Sequence, residues 1–174
     1  MARFNPAFDR MIENEGGMIL HTVPGDRGGM TYAGIARNRW PDWVGWSIID
    51  SGRRPDEDQV RRFYRAHFWR PLQADGIRHQ PVAESIFDYA VNSGVRSAVR
   101  SAQRVLGVID DGIVGPQTLN ALNAADPDHF VAAYTLEKIR RYAKLAAMDG
   151  KQRKFLLGWI NRSLRSANPQ ESRA

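Results

Sequence analysis

The chain has 174 residues, 43% hydrophobic and 25% charged, with no cysteine and a formal net charge of +6. That length suits one domain with a real buried core, and the lack of cysteine excludes disulfides and thiolate chemistry. No apolar run approaches the roughly 20 residues of a membrane span. The N-terminal stretch MARFNPAFDRMIENEGG also lacks the continuous apolar core of a secretory signal, so the chain is expected to be made soluble in the cytoplasm and exported only with help.

The charge is unevenly placed. From Lys151 onward there are six basic residues (Lys151, Arg153, Lys154, Arg162, Arg165, Arg173) against Glu171 alone. Nucleic acid, anionic lipid and an anionic wall polymer are all compatible with such a surface, and charge does not choose among them.

Taken in chain order, the punctuation predicts an almost wholly helical protein. Asn5-Pro6 reads as N-cap and first helical residue, followed by Phe8, Met11 and Ile12 at helical spacing. Residues 18–30, MILHTVPGDRGGM, are too glycine-rich for a helix and read as a loop or short irregular hairpin. A second helix is expected from about Thr31. A third, capped by Asp56, carries Val60, Phe63, Tyr64, His67 and Phe68 on one face until Pro71 forbids continuation. A fourth runs from about Val82 to Asn92, stops at Gly94, and is apolar on more than one side, as a central buried helix should be. VRSAVRSAQRVLG and GPQTLNALNA give a fifth and sixth. Asp126-Pro127 opens a long helix, and Phe155, Leu156, Trp159 and Ile160 mark the last. There is no repeat and no convincing strand set.

One carboxylate is out of place in this pattern. Phe8, Met11, Ile12 and Glu15 follow the i, i+3, i+4, i+7 rule, so Glu15 falls on the apolar stripe while Glu13 points elsewhere. A carboxyl beside apolar side chains is costly to ionise, a property that suits a general acid working near neutral pH. Gly16 and Gly17 then permit unusual backbone and leave room for a ligand. The competing reading is a helix-end glutamate in an ion pair, followed by a glycine C-cap. Downstream, Asp26 and Thr31 in GDRGGMTYAGI can fold back to face Glu15 and hold or activate a water. Paired carboxylates of this kind are the usual equipment for glycoside hydrolysis. Asp26 as a plain turn residue is the alternative. A phosphate-cradling loop is discounted, because the glycine-lysine-serine/threonine ending of a P-loop is missing.

ENEGGMILHTVPGDRGGMTYAGI resembles the signature of glycoside hydrolase family 108, lysozyme-like N-acetylmuramidases of phage endolysins and related bacterial proteins. Glu15, Gly16, Gly17, Asp26, Gly28, Gly29, Thr31, Gly34 and Ile35 match. Met18 departs from it, standing where the family usually has tyrosine, with its stacking or hydrogen-bonding contact. FDYAVNSG (87–94), DDGIVGPQTLNAL (110–122) and FLLGWINR (155–162) resemble the C-terminal, peptidoglycan-binding part of these proteins. The resemblance implies a mainly helical, lysozyme-like fold with at most a small hairpin after the first helix. It divides the chain into a catalytic region (1–85), a helical peptidoglycan-binding region (86–168) and a short tail (169–174), while the short connections and shared apolar faces favour one compact body for the first two. It implies hydrolysis of the β-1,4 bond between N-acetylmuramic acid and N-acetylglucosamine, with Glu15 as general acid, Asp26 and Thr31 managing water, and no metal or organic cofactor. Asn92, Tyr32 and Met18 are the candidate substrate contacts, Asn92 with helix capping as its rival role. A phage endolysin without a signal peptide would reach the wall after holin-like release, and a secreted effector would look the same in sequence.

DDGIVGP lacks the alternating oxygen ligands and terminal glutamate of a calcium loop and reads as a turn. The four histidines show no ligand spacing. Trp40, Trp43 and Trp46 can line a sugar cleft, with burial the expected fate of at least one. The basic C-terminal helix reads first as a closing core helix, then as a cationic face for wall polymer, and last as a weak contact with an anionic membrane or outer-membrane surface. A monomer is expected. The rival functions are a wall-binding protein without catalysis and a basic nucleic-acid binder, the latter lacking any recognition motif.

Overall fold

A computed structural model describes residues 1–22 and 29–167, so Asp26, Gly28 and the 169–174 tail lie outside the described residues. Helix α1 spans Phe4–Asn14 and buries Phe4, Ala7, Phe8 and Met11. It starts before the expected Asn5-Pro6 cap. Arg3 is the N-cap without a side-chain bond, and the preceding chain is tied down by Ala2 N–H donating to the Ile77 carbonyl (2.7 Å) and Arg3 N–H to Gln80 Oε1 (2.7 Å). Pro6 falls in the first turn, where a missing N–H loses no helical bond.

No helix begins at Thr31. Strands β1 (Leu20–Thr22), β2 (Met30–Tyr32) and β3 (Ile35–Ala36) form an antiparallel sheet in that order, with Leu20 opposite Tyr32, His21 opposite Thr31, and Tyr32 opposite Ile35. The reason is local. Ala33 and Gly34 have φ of +50° and +78°, which breaks a right-handed helix but makes the tight two-residue turn that matches strand twist. The next helix, α2, is the short Gly45–Asp50.

Helix α3 (Glu57–Tyr64) begins on the expected Asp56, in a full capping box with Gln59. It widens into a π-helical turn over Arg65–Trp69, closed by Arg70 N–H to the Arg65 carbonyl (2.9 Å). Helices α4 (Gln80–Ser93), α5 (Val95–Leu106), α6 (Pro116–Ala124), α7 (Pro127–Met148) and α8 (Leu156–Ala167) complete the body, with a 3₁₀ segment over Gly150–Phe155.

Helix α4 is the axis. It packs against α1, α5, α7 and α8, and Val82 through Ala90 are all buried. Residues two apart on a helix point roughly 200° apart, so Phe87 and Tyr89 serve different clusters. Phe87 joins Phe4 and Trp69, with Phe8 and Tyr64 continuing the stack. Tyr89 meets Tyr134 and Tyr142. The helix runs unbroken through residues 85 and 86, so the two regions divided there in the sequence share it. DDGIVGP is a turn organised by the buried Gln103, whose amide donates to Asp111, Ile113 and Thr118 and accepts from Gly112 N–H. The Ile113 N–H and Gln103 amide on Asp111 hold its carboxyl below the usual range. Among the described residues, no helix is long and apolar enough to cross a membrane.

Candidate active site

Glu15 is the C-cap of α1. Gly17 N–H donates to the Ile12 carbonyl (2.9 Å) and Gly16 N–H to the Glu13 carbonyl (3.1 Å), a Schellman closure with both glycines at positive φ. The glycine C-cap foreseen as the structural alternative is therefore present, and so is its ion pair. Glu15 Oε1 lies 2.7 Å from Arg162 Nη2 of α8, with the Glu15 side chain 21% exposed. The surroundings of the carboxyl are thus charged on one side, not uniformly apolar as the helical stripe suggested.

Arg162 is shared. Its Nη2 also lies 3.0 Å from Oδ1 of Asp88 on α4, which accepts from Asn14 Nδ2 at 3.4 Å. Burial works against the Arg162 charge, but Asp88 and Glu15 outweigh it and push its pKa up. Beneath this cluster Lys138 of α7, 1% exposed, donates to Ser85 Oγ at 3.3 Å. Burial lowers its pKa to about 8 against the pull of Asp88.

The other face of Glu15 meets the β2–β3 turn. A methyl group on Gly34 would lie 2.6 Å from the Tyr64 hydroxyl and 3.2 Å from Glu15 Oε2. Tyr64 donates to the Ala33 carbonyl at 2.8 Å, and burial, with the Glu15 charge nearby, raises its pKa. Gly34 and Tyr64 also line a cavity of about 80 Å³ with Ala36, Arg39, Trp40, Phe63, Phe68 and Val91. The π-helical turn contributes Phe68 to it, in keeping with the frequent placement of such turns at functional sites.

The remaining candidates divide. Thr31 is half-buried on β2 with its hydroxyl 3.5 Å from the Gly29 carbonyl. Tyr32, expected to touch substrate, is instead a core residue: 2% exposed, stacked on Trp43, its hydroxyl donating to the Pro55 carbonyl at 3.0 Å. Alternation along the strand sends it to the face opposite Thr31. Met18 is partly buried and packs against the core. Asn92 donates to the Tyr142 hydroxyl at 2.5 Å, which ties α4 to α7. Of the three tryptophans, Trp43 and Trp46 are buried while Trp40 lines the cavity, resting on Phe63 and His67.

Sequence reasoning missed Asp88 and Arg162. Arg162 was counted as one charge of the basic segment. Asp88 carried a signal, because an acid flanked by Ile86, Phe87, Tyr89 and Ala90 in a buried helix requires a partner.

A mainly helical body, with a carboxylate at a helix end between a small sheet and an aromatic cavity, has the layout of a lysozyme-like glycoside hydrolase. The chain belongs to the glycosyl hydrolase 108 family, whose model matches residues 8–94. Residues 97–164 match a second family, described as a predicted peptidoglycan domain. The structure of Brucella abortus SagA is similar over 97% of this chain and 94% of that one, at 26% identity and a TM-score of 0.73. No curated protein matches the chain. Together these define a peptidoglycan hydrolase of the glycoside hydrolase class.

Proposed function

We propose that the chain is an N-acetylmuramidase that cleaves the β-1,4 bond between N-acetylmuramic acid and N-acetylglucosamine, with Glu15 as general acid. The observation that carries this reading is the position of Glu15. One carboxyl oxygen is gripped by Arg162, and the other faces Gly34, where a side chain is missing and an aromatic cavity begins. In this reading the protonated Glu15 gives its proton to the glycosidic oxygen as the bond from that oxygen to C1 of the muramic acid breaks. A water adds its oxygen to C1 and surrenders its proton to a carboxylate, the role offered to Asp26, with Thr31 orienting the water. Trp40 supplies a ring on which a sugar face can rest.

Purified sacculi, turbidity and mass analysis of the released fragments test the reading. The native chain should release fragments with reducing N-acetylmuramic acid ends, and Glu15→Gln should clear at least about a hundredfold more slowly. Clearing by Glu15→Gln at the native rate would remove Glu15 from the mechanism. Reducing N-acetylglucosamine ends would overturn the bond assignment, and tight binding without any cleavage would leave a wall-binding protein.

A further inference from the structure

Away from Glu15, a cleft of about 430 Å³ opens between α5 and α7, lined by Arg104, Arg140, Arg141, Lys144, Leu145 and Met148. Four of its six walls are cationic, and only part of that charge is answered. Glu137 accepts from Nε and Nη2 of Arg140 (2.5 and 2.7 Å) and from Nη1 of Arg104 (3.3 Å), and Asp110 accepts from Arg104 Nε (2.8 Å). Burial disfavours the Glu137 charge, but hydrogen bonds from Arg140 and Arg104 outweigh it and lower its pKa, so it remains ionised near neutrality. Among the described residues Arg141 has no carboxylate partner. Its Nη2 meets Ser97 Oγ at 3.1 Å, and its Nε is buried with no hydrogen-bond partner at all. The Arg141 charge is therefore answered by a hydroxyl alone, with no anion against it among the described residues.

The order of the lining residues adds a shape. Arg141, Lys144, Leu145 and Met148 stand at i, i+3, i+4 and i+7 on α7, one stripe about 10 Å long, cationic at one end and apolar at the other. At about 3.4 Å per extended residue, that length holds roughly three residues of a peptide. Both walls fall within the segment matching the predicted peptidoglycan domain.

We infer that this cleft binds the peptide stem of peptidoglycan, its carboxylates on Arg141 and Lys144 and its alanine methyl groups against Leu145 and Met148. The stem carries free carboxylates next to small apolar residues, the two kinds of chemistry that the stripe offers at its two ends. This inference rests on peptidoglycan being the polymer engaged, but not on Glu15 being the acid.

The test uses the full chain and a soluble four-residue stem peptide (L-alanine, D-glutamate, a diamino acid, D-alanine), so no glycosidic bond is involved. Titration followed by nuclear magnetic resonance should show the peptide shifting signals of residues 141–148. The double variant Arg141→Gln/Lys144→Gln should weaken binding about tenfold, as should amidation of the peptide's carboxyl groups. A control with equal charge loss elsewhere, Lys151→Gln/Lys154→Gln, should bind as the native chain does. On sacculi, removal of the stems with an amidase should weaken the native chain and leave the double variant unchanged. Equal binding by native chain and double variant, or equal losses in both charge variants, would overturn the inference. So would inorganic phosphate competing as well as the peptide, since that marks a general anion site. Loss of cleavage in Glu15→Gln with peptide binding intact separates this site from the proposed acid.

Discussion

The chain up to α4 and the chain after it hold their functional side chains by different means. Before α4, position is set by backbone. A Schellman closure places Glu15, a two-residue turn at Ala33-Gly34 brings the sheet against it, and a capping box starts the helix that supplies Tyr64. After α4, position is set by charge and burial. Arg162 reaches back to two carboxylates, and Lys138 sits in the core beneath them. Backbone devices tolerate change outside their few residues, whereas a buried charge shared among helices depends on every partner.

The sharpest way to break this contrast is Arg162→Met. It leaves Asp88 buried without its cation, and loss of one partner of such a pair costs about 3–5 kcal/mol. Urea unfolding should register that loss, with activity falling beyond the fraction unfolded because Glu15 Oε1 is released. Arg162→Lys should rescue only part of it, since an ammonium cannot span two carboxylates as a guanidinium does. An unfolding free energy unchanged in Arg162→Met would show that α8 is held by its apolar face alone.

On the backbone side, Gly34→Ala combines a left-handed φ with a methyl 2.6 Å from the Tyr64 hydroxyl, and should cost about 2–3 kcal/mol. Tyr64→Phe in the same chain should recover the steric part, so the double variant should be more stable than the sum of the two losses predicts. Additive losses would place the strain elsewhere.

Lys138 gives a pH signature. The folded protein releases its proton near pH 8 while the unfolded chain keeps it to about 10.4. Between those values the unfolded state binds more protons, so stability rises with pH. Relative to Lys138→Met, the native chain should gain about 2 kcal/mol between pH 7.5 and 9.5. Above pH 10 the buried tyrosines act in the opposite sense. Tyr142, pushed up to about 12 by burial, stays neutral in the folded state while the unfolded chain ionises, so the comparison belongs below that pH. A flat difference would mean that Lys138 keeps its charge when folded. The smallest effect is expected for Asp56→Ala, about 1 kcal/mol for a lost N-cap, with the rate of clearing per folded molecule unchanged.

What was legible in the sequence follows the same division. The Asp56 cap, the stop at Gly94 and the Asp126-Pro127 start are all local signals, and each is present in the structure. Residues 18–30 were legible as a loop or short hairpin, but the extension of the sheet past Thr31 was not, because strands of two or three residues carry too little alternation to register. The Ala33-Gly34 turn hid for a related reason, since alanine is not a residue expected at positive φ. The π-helical turn leaves the apolar pattern of α3 nearly unchanged. Tyr32, named as a candidate substrate contact, lies in the core because alternation along β2 turns it inward. Arg162 and Asp88 stand far apart in the sequence, and nothing in either neighbourhood names the other as partner.

The Arg162–Glu15 contact also imposes an order on synthesis. The carboxylate, at the end of α1, leaves the ribosome before α2 to α7 are made, while its cation is made in α8. A nascent chain therefore carries the acid through the synthesis of α2 to α7 with one flank of the site still missing. Messages cut short, or chains clipped before α8, would therefore yield fragments with the signature motif intact and the carboxyl unanchored.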